Sequence, residues 1–200
     1  MSQTTNASPT QNLKEYFIKT TQSLGIQTRI VPCALELEYT TLKSLDNPNA
    51  EKIAKEYQIL GEQGSNTISQ AMSYLHKEGD STNAMIIELL SQIYQKVSRI
   101  ERVVMKTSDE FVALECKASI AAFGHGVICC KEECFGVGED YYARFVLPNI
   151  LQRTIGVYAK SLSPQILKFT SIHSSDVSAL DNFIASKEME QLRKAKDKKC

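Results

Sequence analysis

Net charge is the first thing this chain of 200 residues lacks, since 23 Lys and Arg balance 23 Asp and Glu. Without a field of one sign, nothing draws the protein as a whole to nucleic acid or to an anionic membrane, and any basic site must be local. Long hydrophobic runs are missing too: none approaches the ~20 residues of a membrane span. The opening MSQTTNASPT has neither the charged nor the apolar region of a secretion signal. The expectation is a cytoplasmic protein with no membrane insertion and no nucleic-acid partner.

Catalytic signatures are equally thin. His76, His125 and His173 are scattered, and no Ser/His/Asp or paired-carboxylate arrangement follows from spacing. Gly124, Gly126, Gly136 and Gly138 form neither G-x-G-x-x-G after a strand nor a Walker loop. The chain reads as a non-enzyme. A chain of this length without a secretion signal does not need disulfide staples, so Cys33, Cys116, Cys129, Cys130, Cys134 and Cys200 read as free thiols. Cys116, His125, Cys129, Cys130 and Cys134 could supply zinc ligands, but C-C-x-x-x-C is not a standard zinc spacing. On a strand Cys129 and Cys130 would point to opposite faces, and the expectation is no metal site.

What is present is a core's worth of apolar residues, at 42%, and one dominant periodic stretch. From Thr82 to Val104, residues Ile86, Leu90, Ile93, Val97, Ile100 and Val104 are spaced 4, 3, 4, 3, 4. That is the heptad rhythm of a helix burying one stripe against other helices. Leu90, Val97 and Val104 take a positions and Ile86, Ile93 and Ile100 take d positions, while Ile87, Leu89, Tyr94 and Val103 widen the face. Isoleucine at d with so wide a face favours three or four strands if copies associate. The chain's own earlier helices are the other covering the sequence allows.

Around this stretch, residues 1–10 are polar and expected to be disordered, and 11–106 to be a mainly helical N-terminal region. A helix over Gln11–Leu24 ends at Gly25, a second opens at Asn47-Pro48 and runs on Ile53, Tyr57 and Leu60, and a third spans about Thr67–His76. Ile26–Tyr39 alternates but is broken by Pro32, giving an extended pair or one irregular strand. Beyond Lys106 come six short runs rich in Val, Ile, Phe and Tyr: Phe111–Cys116, Ser119–Phe123, Val127–Cys130, Tyr141–Leu147, Thr154–Lys160 and Gln165–Thr170. These predict a small six-stranded antiparallel barrel over 107–200, closed by a helix from Ser175 to about Lys194. The fold class is α+β.

The segments Ala113–Phe123 (ALECKASIAAF), Gly136–Pro148 (GVGEDYYARFVLP) and Ile166–Ile184 (ILKFTSIHSSDVSALDNFI), in that order behind a heptad helix, resemble PilZ domains. These are the receptors and adaptors of bacterial cyclic di-GMP signalling. The resemblance covers about residues 107–190, and the heptad helix is similar to that of atypical PilZ proteins which oligomerise through it. It implies a signalling adaptor in control of motility or surface behaviour, a homo-oligomer, with a protein partner.

The family's ligand signature is R-x-x-x-R with a [D/N]-x-S-x-x-G turn, where guanidiniums grip phosphate and small residues allow close approach. Here the nearest arginines are Arg99 and Arg102, and the turn has Glu115, Lys117 and Ile120 at its Asp/Asn, Ser and Gly positions. Arg99, Arg102, Lys117 and Ser119 are thus the nucleotide-binding candidates, Glu115 would repel a phosphate, and the expectation is no bound cofactor. A cyclic di-GMP receptor, and a thiol-based zinc or redox module, are the alternative readings.

Overall fold

The computed structural model describes residues 9–44, 47–64, 90, 93, 97, 111–148 and 153–197. Helix α1 (Pro9–Ser23) ends in a Schellman cap. The Ile26 amide bonds to the Thr21 carbonyl at 2.9 Å and the Gly25 amide to that of Gln22 at 3.0 Å. Gly25 takes the left-handed φ of 76° that such an ending requires. The helix starts at Pro9, two residues ahead of its expected start.

Strand β1 (Val31–Thr41) follows, then a 3-10 turn at Leu42–Ser44 and helix α2 (Asn47–Gly64). Five more strands come after residue 115: β2 (Cys116–Gly124), β3 (Val127–Cys130), β4 (Asp140–Val146), β5 (Thr154–Ser163) and β6 (Ile166–Ser171). Helix α3 (Ser174–Asp197) closes the described chain. The strands form a closed antiparallel barrel in the order β1-β2-β3-β6-β5-β4.

Six strands were expected, but not these six. Phe111–Cys116 is irregular up to its last residue, and the sixth strand is β1, the one irregular strand that Ile26–Tyr39 allowed, which joins the barrel from within the N-terminal region. Pro32 explains why the sequence was ambiguous there. Pro32 pairs with Ala122 and Leu35 with Ile120, so an extra residue is absorbed in a bulge next to the proline, a place where proline is tolerated in a sheet. Of the heptad stretch, Leu90, Ile93 and Val97 are described and are helical. Ile86, Ile100, Val104, the helix expected over Thr67–His76, and residues 1–8 lie outside the described residues.

Inside the barrel pack Val31, Leu37, Ile120, Phe123, Ile128, Phe145, Ile155, Val157 and Leu167. One end is plugged by the β3–β4 loop, which must cross the barrel because β3 and β4 stand opposite each other, and which inserts Phe135. The other end is covered by α3 through Leu180 and Ile184, with Phe183 edge-on to Phe123. A second bulge in β2, between Ile120 and Ala122, flips the side-chain parity. Ala122 therefore faces outward with Val127, Cys129 and Ile166, and α1 covers this patch with Phe17. Cys129 and Cys130 do point to opposite faces, Cys129 under α1 and Cys130 into the barrel. Among the described residues no helix is long and apolar enough to cross a membrane.

Two glycines set how closely α2 can dock. A Cβ on Gly156 would lie 2.7 Å from the Tyr142 hydroxyl and 3.0 Å from Leu60 Cδ1, and one on Gly61 would lie 2.4 Å from the His173 ring. That ring cannot swing aside freely, since it stacks on Tyr57 at 4.0 Å and its Nε2 is bonded to the Tyr57 carbonyl at 2.8 Å. Gly61→Ala is therefore expected to lower stability by about 1–3 kcal/mol in urea unfolding through overpacking, although alanine is the better helix former by ~1 kcal/mol. A variant as stable as the wild type would mean that α2 does not rest on His173 this tightly.

Candidate functional site

The polar centre of the molecule lies on the outer wall of the barrel, where α2 crosses β4 and β1. The apolar stripe of α2 runs through Ile53 and Leu60, both 1% exposed, and Glu56 falls on the same side at 1% exposed. A carboxylate there must find donors. It accepts hydrogen bonds from the Tyr142 hydroxyl at 2.8 Å, Arg144 Nη1 at 2.9 Å and the Val112 amide at 2.5 Å. Burial, and then the charge of Glu56, push the Tyr142 phenol far up, so it remains a proton donor.

Arg144 is held on its other side by Glu38 of β1, and its guanidinium lies 4.8 Å from the centre of the Phe111 ring. Strand register accounts for this. Glu38 is the cross-strand partner of both Lys117 on β2 and Arg144 on β4, so one outward row reads Lys117, Glu38, Arg144 across three strands. Opposite charges directly across a ladder are favourable. The hydrogen bond from Arg144 chiefly, then that from Lys117, holds the Glu38 carboxyl below the usual range against its partial burial. A cleft of about 530 Å³ adjoins this network, lined by Thr40, Lys52, Lys55, Phe111 and Val112 among others.

Of the nucleotide-binding candidates, Lys117 and Ser119 stand on the same exposed face of β2. Carboxylates already occupy that face. The Lys117 ammonium lies 2.7 Å from Glu36 and 3.1 Å from Glu38, and its pKa is raised by Glu36 first and then Glu38. The Ser119 amide donates to Glu132 at 2.9 Å. A phosphate arriving here would displace carboxylates rather than find a free cation. Arg99 and Arg102 lie outside the described residues.

The stripe positions Leu90, Ile93 and Val97 are 52%, 57% and 55% exposed. Among the described residues no group of three or more His, Cys, Asp or Glu side chains could hold a metal, and His125 pairs with Asp181 at 2.8 Å. The residues sequence reading missed are Glu56, Tyr142 and Arg144. A carboxylate on the buried stripe of α2 and an arginine in mid-strand were the signals that could have found them.

Chemically, the network has its donors and acceptors committed to one another, so it fastens α2 and the 111–112 backbone to the barrel rather than presenting a reactive group. Searches of protein-family models, of curated proteins and of solved structures found no match.

Glu56→Ala leaves the Tyr142 hydroxyl, the Val112 amide and part of Arg144 without their acceptor, and should cost about 3–5 kcal/mol in urea unfolding, as for a broken buried ion pair. Glu36→Ala, removing an exposed partner, should stay within about 0.5 kcal/mol. Equal effects would show that the buried network contributes nothing special. The depressed Glu38 carboxyl stabilises the fold fully above its unfolded pKa of about 4.3, and that contribution is lost as pH falls through the lower folded value. Glu38→Gln should accordingly lose less stability than the wild type between neutral pH and pH about 3, measured by denaturant midpoints along the pH series.

Proposed function

We propose that the chain is a PilZ-like signalling adaptor without enzymatic activity, working in the cytoplasm through protein–protein contacts and self-associating through its heptad stripe. The observation that carries this reading is the exposure of Leu90, Ile93 and Val97, each helical and more than half in water. Apolar side chains spaced three and four apart on a helix share one face, and covering them recovers roughly 25 cal/mol per Å² buried. The partner proposed for that face is a second copy of the same chain, because a heptad repeat with isoleucine at d is self-complementary in register. The closed six-stranded barrel followed by α3 supports the PilZ-like assignment. The carboxylates around Lys117 and Ser119 favour an adaptor over a cyclic di-GMP receptor. The setting implied is cyclic di-GMP-related control of bacterial motility or surface behaviour.

Replacing Ile93 and Val97 together by Asp should convert an oligomer to monomers in light scattering while the circular dichroism of the barrel persists. An unchanged mass would retire self-association through the stripe, and unfolding would place the stripe inside the fold. Titration calorimetry of the full chain with cyclic di-GMP should give no heat up to high micromolar ligand. Saturable binding would transfer the assignment to the receptor reading.

A further inference from the structure

The plugged end of the barrel beneath the β3–β4 loop gathers thiols that the adaptor reading does not use. Cys130, at the end of β3, is 0% exposed and packs in the barrel core. Cys134, four residues on, is half-buried at the rim of that core. The turn between β5 and β6 holds the two side by side. The Cys130 amide donates to the Gln165 carbonyl at 2.8 Å, and the Cys134 amide to the adjacent Pro164 carbonyl at 2.9 Å.

Their thiols lie close enough to bear on each other's ionisation, Cys134 pushing that of Cys130 up and Cys130 pulling that of Cys134 down. Tyr39 of β1 closes the group. Its hydroxyl donates to the Cys134 carbonyl at 3.4 Å, and across the ladder Tyr39 pairs with the exposed Cys116. Phe135, edge-on to Tyr39 at 5.1 Å, fixes the loop from the next position.

We propose that Cys134 is a hydroperoxide-sensitive modification site whose sulfenic acid is resolved by Cys130, closing a Cys130–Cys134 disulfide beneath the β3–β4 loop. Access divides the roles. A peroxide in solution reaches the half-buried Cys134, whereas Cys130 is sealed from solvent and meets only its neighbour. The ionisation balance agrees. Cys134 is held below the ordinary cysteine range, first by the hydrogen bond from Cys130 and then, against its burial, by one from Tyr39. Glu132 opposes this by its charge. Burial pushes Cys33 and Cys129 up to about 12, which keeps both as inert thiols at neutral pH.

The chemistry balances in two steps. The Cys134 thiolate attacks the O–O bond of a hydroperoxide, an S–O bond forms, and the leaving alkoxide or hydroxide takes a proton from water. Sulfur loses two electrons and the peroxide gains them. The Cys130 sulfur then attacks the sulfenic sulfur, forming S–S and breaking S–O, and the departing hydroxide leaves as water with the Cys130 proton.

Lys131 lies between the two cysteines, so trypsin places them on different peptides and a disulfide would rejoin them. Reduced full-length protein treated with hydrogen peroxide at neutral pH should yield the linked pair by mass spectrometry, in the wild type and equally in Cys116→Ser and Cys129→Ala. In Cys130→Ser the link should vanish and dimedone should trap Cys134 instead. Before any oxidation, iodoacetamide should label Cys134 at least ~10-fold faster than the more exposed Cys116 at pH 7, as a thiolate-rich site would. Wild-type peptides that stay unlinked, a link that survives Cys134→Ser, or labelling of Cys116 ahead of Cys134 would each overturn the proposal. The first and third readouts use unmutated protein, so instability of a variant leaves them decisive.

Discussion

Closure of the barrel rests on a single strand that hydrogen-bonds along both edges. β1 pairs with β2 from Val31 to Tyr39 and with β4 from Leu37 to Thr41, and through these two ladders the sheet loses its open edges. Take β1 away and the other five strands form an open sheet whose inner face, with Ile120, Phe145 and Val157, would meet water. Residues 42–115 then separate β1 from β2, the next strand among the described residues. Such a long excursion is tolerable because closure entropy grows only as the logarithm of loop length. A segment of that size between two barrel strands can acquire contacts of its own, and the stripe at Leu90, Ile93 and Val97 lies within it.

The excursion is tied back to the barrel by charge as well as by apolar packing. Ile53 and Leu60 bring α2 down on the wall, and Glu56 between them is tolerated because Tyr142, Arg144 and Val112 supply three donors. Arg144 in turn is shared with Glu38 of β1, so the strand that closes the barrel and the helix that leaves it are held by one guanidinium. Its planar fork can serve two carboxylates at once, which a lysine ammonium does with far less geometric definition. At the next position of β1, Tyr39 turns inward and donates to the Cys134 carbonyl in the β3–β4 loop. Fold closure, helix docking and the reactive end of the barrel thus share one strand.

Much of the architecture could be read locally. The runs at Val127–Cys130, Tyr141–Leu147 and Thr154–Lys160 become β3, β4 and β5 within a few residues, since their β-branched and aromatic content and flanking turn residues act over short range. Gly25 and Asn47-Pro48 mark a helix end and a helix start for equally local reasons. The polar network left only two hints in the sequence, a carboxylate on the stripe of α2 and an arginine in mid-strand, and neither shows which groups meet. Glu56 in the sequence is one more charged residue on an amphipathic helix, and its burial depends on Tyr142 and Arg144 arriving from a strand far along the chain. Residues 111–115 have a strand's composition but stay irregular, and the place between β2 and β4 is filled by β1.

The sequence by itself determined that this chain builds a small antiparallel barrel with helices before and after it, because periodicity and turn chemistry are properties of adjacent residues. Only the tertiary structure decided which strands make the barrel, that Glu38 stands between Lys117 and Arg144, and that Cys130 and Cys134 meet under Tyr39. Those outcomes depend on register and bulges, where a shift of one residue turns a side chain from core to solvent, and register is set by pairing between distant segments.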